Sequence, residues 1–235
     1  MSFSTAMPDE LAIAHEGRLV LLYDFASVDQ LYDEIEAVLR QKGSDAAQAP
    51  KLHQLARITG LDPVTYACNH SLLPATRVAC RVGDDQPHGV ETSRQSKARI
   101  RRTAQTTRAH CCPECAAEDP HKFSFSWFRR THHVIGFDWC PTHGTVLHEV
   151  DSDRAFSRLP HQWIADGLTH AVPAVASTMP TVEDVIGRYL SIYLALLHRN
   201  RLAARIGCAH YKAMSPWPLT RCNSTRAAME MKFTA

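Results

Sequence analysis

The sequence predicts a mainly α-helical protein with a small metal-binding unit set into it. Three observations carry this expectation. Apolar residues recur at helical spacing over residues 11–70 and again over 185–197. Residue types that start and stop helices bracket those runs. Between them lie two knuckles at zinc-ligand spacing, Cys112-Pro113-Glu114-Cys115 and Cys140-Pro141-Thr142-His143.

The elements follow in order. Pro8 or Asp9 opens a first helix through Leu11, Ile13 and Leu19–Leu22. Ser27 is an N-cap with Gln30 three residues on, the spacing of a capping box. Leu31, Ile35, Val38 and Leu39 continue that helix, and Gly43 stops it. Pro50 starts a third helix along Leu52, Leu55 and Ile58, ended by Gly60. Asp62-Pro63 then reads as a cap followed by proline at the first helical position, with the helix running to about His70. Residues 52–68 have the look of a helix-turn-helix, and two packed helices without a DNA role explain the same pattern. The exposed positions expected on the second of them, Thr65 and Asn69, bring no arginine or lysine. Residues 152–180 read as proline-punctuated turns and loops. Thr181 is expected to cap a long final helix, with Val185, Ile186, Tyr189, Leu190, Tyr193, Leu196 and Leu197 on a wide apolar face and Gly207 at its end. This divides the chain into a helical part over 1–82, a basic linker over 83–110, a zinc-binding unit over 111–150, a C-terminal helical part over 151–210 and an aperiodic, poorly ordered tail over 211–235.

The metal unit rests on ligand chemistry. A C-x2-C or C-x2-H turn places two ligands on one edge of a tetrahedron, so two such turns complete a closed Cys3His shell from Cys112, Cys115, Cys140 and His143. A closed shell has no open coordination position, which makes one Zn2+ structural rather than catalytic. Plain buried thiols and a redox C-x-x-C are the competing readings; the second knuckle and the lack of a βαβ pattern weigh against the latter. Cys111 adjoins the first knuckle and allows a register slip by one residue. His132 and His133 read as structural or supporting groups rather than ligands. Phe123, Phe125 and Trp127 alternate as if along a short strand or a helix start.

Charge narrows the function classes. The 235-residue chain has 26 basic and 24 acidic residues, so it is no globally basic nucleic-acid binder. Local charge differs: residues 92–110 hold no acid, while Arg94, Lys97, Arg99, Arg101, Arg102 and Arg108 are all basic. With Arg129 and Arg130 they are the candidate phosphate contacts; a solvated linker is the alternative. The first residues have no secretory signal, and no apolar run is long enough to span a bilayer, so a cytoplasmic protein with reduced thiols is expected. No Gly-rich phosphate loop, G-x-S-x-G or nuclease-like carboxylate pair occurs, and a non-enzyme is expected.

Several runs together resemble the TniQ family of transposition proteins, which includes the target-selection subunits of Tn7-like elements. They are Pro8-Asp9-Glu10-Leu11, Leu55-Ala56 with Thr59-Gly60-Leu61, and His70-Ser71-Leu72-Leu73-Pro74. Most specific are Cys112-Pro113-Glu114-Cys115 with Glu118-Asp119, then Trp127-Phe128-Arg129-Arg130 with His132, then Cys140-Pro141-Thr142-His143-Gly144 with Leu147. The likeness covers about residues 7–150. It implies a helical N-terminal part with a helix-turn-helix-like element and a zinc finger whose ligands fall on Cys112, Cys115, Cys140 and His143. It also implies a non-catalytic transposition adaptor. Its partners would be target DNA, met directly or through a guide or recognition complex, and an AAA+ regulator that recruits the transposase; a homodimer is compatible. A zinc-containing helix-turn-helix regulator unrelated to transposition is the alternative.

Overall fold

The computed structural model describes residues 3–44, 47, 49–76, 108–174, 179–181 and 183–198. All of them fall within one compact unit, Met1–Leu202. The helices are α1 (Ala12–Leu22), α2 (Val28–Gln41), α3 (Lys51–Ile58), α4 (Pro63–His70), α5 (Leu73–Thr76), α6 (Pro113–Phe123), α7 (Pro160–Ala165) and α8 (Val185–Leu197). Three short strands, β1 (Ala109–Cys111), β2 (His148–Val150) and β3 (Thr169–Ala171), form an antiparallel sheet in that order. The mainly helical class is therefore as the sequence predicts.

Local chemistry explains the helical part. Ser27 Oγ accepts from the Gln30 amide at 3.2 Å, and the Gln30 side chain accepts from Ala26 N at 2.7 Å, one residue before the expected partner. Asp62 Oδ1 accepts from Val64 N and Thr65 N at 2.9 and 3.2 Å, with Pro63 at the first helical position. Gly43 and Gly60 both take left-handed backbone where α2 and α3 end. Leu19, Leu31, Ile35, Leu39, Leu52, Leu55, Tyr66 and Leu73 close around one core.

A second core joins Leu11 and Ala14 of the N-terminal part to Phe128, Val134, Phe137, Trp163, Leu190 and Leu197. Helix α1 thus serves both cores. At Gly17 it meets the 3-10 turn Ala155–Ser157 so closely that a Cβ would lie 1.8 Å from the Phe156 carbonyl oxygen.

Four expectations change. The first helix starts at Ala12, because Asp9 turns left-handed at φ 57 and uses its carboxylate elsewhere. Asp184 rather than Thr181 precedes α8, and its carboxylate accepts from Thr181 N at 3.2 Å. On α8 only part of the apolar face is covered: Leu190 and Leu197 are buried, whereas Val185, Ile186, Tyr189 and Ile192 are exposed. Residues 152–180 contain α7 and β3 in addition to turns. The expected stop at Gly207 and the tail over 211–235 lie outside the described residues.

Candidate metal centre

Cys112 sits at the N-cap of α6, and proline at the first helical position turns Cys115 back beside it. The second knuckle is a tight hairpin. Cys140 N donates to Thr145 O, Gly144 N to Cys140 O and Leu147 N to Asp138 O, each at 2.8 Å. Gly144 supplies the positive φ this turn requires.

These turns bring four ligand atoms together. His143 Nδ1 lies 3.5 Å from Cys112 Sγ, 3.3 Å from Cys115 Sγ and 3.6 Å from Cys140 Sγ, and Cys115 Sγ lies 3.7 Å from Cys140 Sγ. All four atoms fall within 4.8 Å of one another. A zinc tetrahedron has edges of roughly 3.6 Å between S and N and roughly 3.8 Å between two S. The residues fit such an ion, and so does the donor set of soft sulfurs with one imidazole. The three thiols are buried, beside Leu147 and Val172. Hydrogen bonds from Cys112 and Cys115 lower the Cys140 thiol from its usual range.

Supporting groups come from α6. His143 Nε2 faces Glu118 Oε1 at 3.3 Å, which leaves Nδ1 to the sulfurs. Lys122 Nζ donates to the other Glu118 oxygen at 2.8 Å, and Thr145 Oγ1 donates to Glu114 Oε1 at 2.8 Å. The register alternative is closed. Cys111 belongs to the second core, and burial pushes its thiol up to about 12.

The candidate phosphate contacts divide. Arg94, Lys97, Arg99, Arg101 and Arg102 lie outside the described residues. Arg108 is exposed and donates to Glu149 at 3.2 Å. Arg129 and Arg130 serve the interior instead. Arg129 holds Asp119 with two bonds of 2.8 and 2.7 Å and stacks 4.4 Å from the centre of the Trp127 ring. Arg130 is 3% exposed; it donates to Asp9 at 2.7 Å, to Cys68 O and to Ser71 O. Both guanidiniums are engaged by partners inside the protein.

The two motif runs interlock residue by residue, which spacing alone did not reveal. Pro8 O accepts from Trp127 Nε1 at 3.0 Å. The Asp9 carboxylate accepts from Arg130 Nε, Thr131 N and Thr131 Oγ1, and Asp9 O accepts from Arg130 N. Leu11 N donates to Phe128 O at 3.0 Å. Glu10 turns inward to a fully buried pair with Arg18, at 2.7 and 2.8 Å, and Arg18 also meets Ser4 Oγ and Thr5 O. His70 Nδ1 donates to Glu10 O at 2.9 Å. Segment 8–11 therefore binds α1, α4 and the chain between the knuckles in one network. Phe123 at the end of α6, with Phe125 and Trp127 just after it, forms an edge-on aromatic cluster rather than one side of a regular element.

Comparison with known proteins adds one finding. A family model described as TniQ matches residues 6–147, more than half of the chain. No curated protein and no solved structure matches at a significant level.

Proposed function

This chain belongs to the TniQ family, proteins associated with Tn7-like transposition, and on that premise we propose that it is a non-catalytic adaptor. It links a recognised target, either DNA itself or a guide or recognition complex, to an AAA+ regulator that recruits the transposase. Such a role belongs in the cytoplasm, and no helix among the described residues is long and apolar enough to cross a membrane.

One observation supports the non-catalytic reading: among the described residues, the acids of the motif runs are paired within the scaffold. Asp9, Glu10 and Asp119 are each locked onto an arginine. Cys112, Cys115, Cys140 and His143 would hold one Zn2+ in a closed shell. A closed shell offers no site to a substrate or a water, so the ion supplies folding energy. Proposed phosphate contacts rest on the acid-free run from Arg94 to Arg108.

The regulator reading has one favouring observation, the α3–turn–α4 pair joined by residues 59–62. Its second helix buries Tyr66, Ala67, Cys68 and His70 and carries no arginine or lysine. That composition favours partner docking over base readout.

A reconstituted insertion reaction tests the proposal. Transposase and AAA+ regulator from the neighbouring genes, target DNA and this chain are combined, and insertion sites are mapped. Insertions directed to the selected target only when the chain is present are expected. Unchanged site choice without it, or target cleavage by the chain alone, would contradict the adaptor.

A further inference from the structure

The small sheet sets three metal-ligating side chains in one row. Strands β1, β2 and β3 pair antiparallel, with His110 opposite Glu149 and Glu149 opposite His170. Directly opposed residues of neighbouring strands share a face, with Cβ atoms roughly 4.5–5.5 Å apart. The opposite face carries Ala109, Cys111 and Val150, which are buried in the second core. The row His110–Glu149–His170 therefore faces outward, running from the half-buried His110 and Glu149 to the exposed His170.

His110 is held in the form of a ligand. Its Nδ1 donates to His132 O at 3.2 Å, since a carbonyl oxygen can only accept. Its backbone N–H donates to His133 Nε2 at 3.1 Å, and its ring stacks on that of His133 with centres 5.9 Å apart and planes inclined by 16°. The ring is thereby fixed, and its Nε2 faces Glu149 Oε2 at 3.7 Å, longer than a hydrogen bond. An imidazole whose other N–H is held by a backbone carbonyl is the usual form of a metal-bound histidine. Bonds of about 2.1 Å at tetrahedral angles put a nitrogen and an oxygen ligand of one zinc ion roughly 3.4 Å apart, close to this gap. Arg108 competes for the same Glu149 oxygen at 3.2 Å, but its guanidinium is exposed and can swing into solvent.

We propose that His110, Glu149 and His170 form a second Zn2+ site, separate from the four-ligand shell. Two imidazoles with one carboxylate suit such an ion. His110 and Glu149 supply a preset pair, and the exposed His170 ring turns toward Glu149 to complete it. Three protein ligands leave one coordination position open to solvent. The ion is therefore exchangeable: this site fills only when metal is added, whereas a closed shell retains its zinc through purification. The proposal stands apart from the reading of the knuckles.

The test uses the full chain labelled with 15N-histidine, loaded with one equivalent of Zn2+, dialysed, and then titrated with further Zn2+. The first equivalent reports on His143. The second should move the ring nitrogens of His110 and His170 to metal-bound chemical shifts and saturate at one added ion per chain. Calorimetry of the same step compares the parent chain with His170→Ala and Glu149→Gln. The first removes an exposed side chain and the second keeps its size, so both should fold, as an unchanged His143 signal verifies. Each should weaken the second binding event by at least the about 10- to 100-fold that loss of a mere supporting partner costs. No second event, shifts confined to other histidines, or equal affinity in the three proteins would overturn the proposal. A first equivalent that leaves His143 unchanged would overturn the reading of the knuckles instead.

Discussion

His15 and His133 are imidazoles whose surroundings forbid a proton. Burial, helped by the Arg18 charge, lowers His15 to about 3; burial, helped by His110, lowers His133 to about 3. His15 bonds Tyr66 Oη at 2.7 Å and Ser4 O at 3.1 Å, and the Ser4 bond offsets only part of the lowering. Below the ordinary value of 6.5, the unfolded chain takes up protons that the folded chain refuses. Stability is therefore level above that value and falls as the pH drops from it toward about 3. Each histidine contributes a slope of up to about 1.4 kcal/mol per pH unit. Urea unfolding between neutral and mildly acidic pH should show a shallower decline in His15→Asn than in the parent chain. Parallel declines would contradict the assignment. At this scale the sequence was legible where a side chain acts locally. Ser27, Asp62 and the four metal ligands depend on neighbours a few residues away. The partners of Asp9, Glu10, Arg129 and Arg130 were not legible because they lie outside any local pattern: Asp9 meets Arg130 across 121 residues. Their occurrence in the runs resembling TniQ was the one available signal.

Helix α1 shows what limits reading at the scale of elements. Its apolar residues mark a helix, but nothing in the sequence says that Gly17 must admit the backbone of the turn Ala155–Ser157. The obstructing atom is a backbone carbonyl, so a side chain cannot simply swing aside. Gly17→Ala should destabilise the chain by about 1–3 kcal/mol despite alanine's better helix propensity. Thermal unfolding checks this; an unchanged or raised Tm would mean that the contact yields freely. The strands were invisible for a different reason. Each has three residues, too short for an alternating pattern to stand out. Helix α6 was hidden by Pro120 within it and by the cysteines at its start. Helix α8 was legible in type, while the extent of its covered face was not, because the covering residues come from distant segments.

Over the whole molecule, the TniQ match spans segment 8–11, the helical part and both knuckles, the pieces that the hydrogen-bond network ties together. Any DNA affinity is expected to be electrostatic and to come from the basic residues between Arg94 and Arg108 with Arg129 and Arg130. Each phosphate neutralised adds about −0.9 to the slope of log affinity against log salt on duplex DNA. Changing Arg99, Arg101 and Arg102 together to Ala should flatten that slope by up to about 3 and weaken unrelated duplexes alike. An unchanged slope, or strong preference for one sequence by the isolated chain, would favour the regulator. The proposed Cys3His shell would join α6, which carries Cys112 and Cys115, to the hairpin beyond Trp139, which carries Cys140 and His143. Native mass spectrometry of the purified chain, before and after chelation, tests that shell most directly. One zinc per chain is expected, with its removal unfolding the region around residues 111–150. A metal-free chain with native secondary structure and unaltered thermal stability would contradict it.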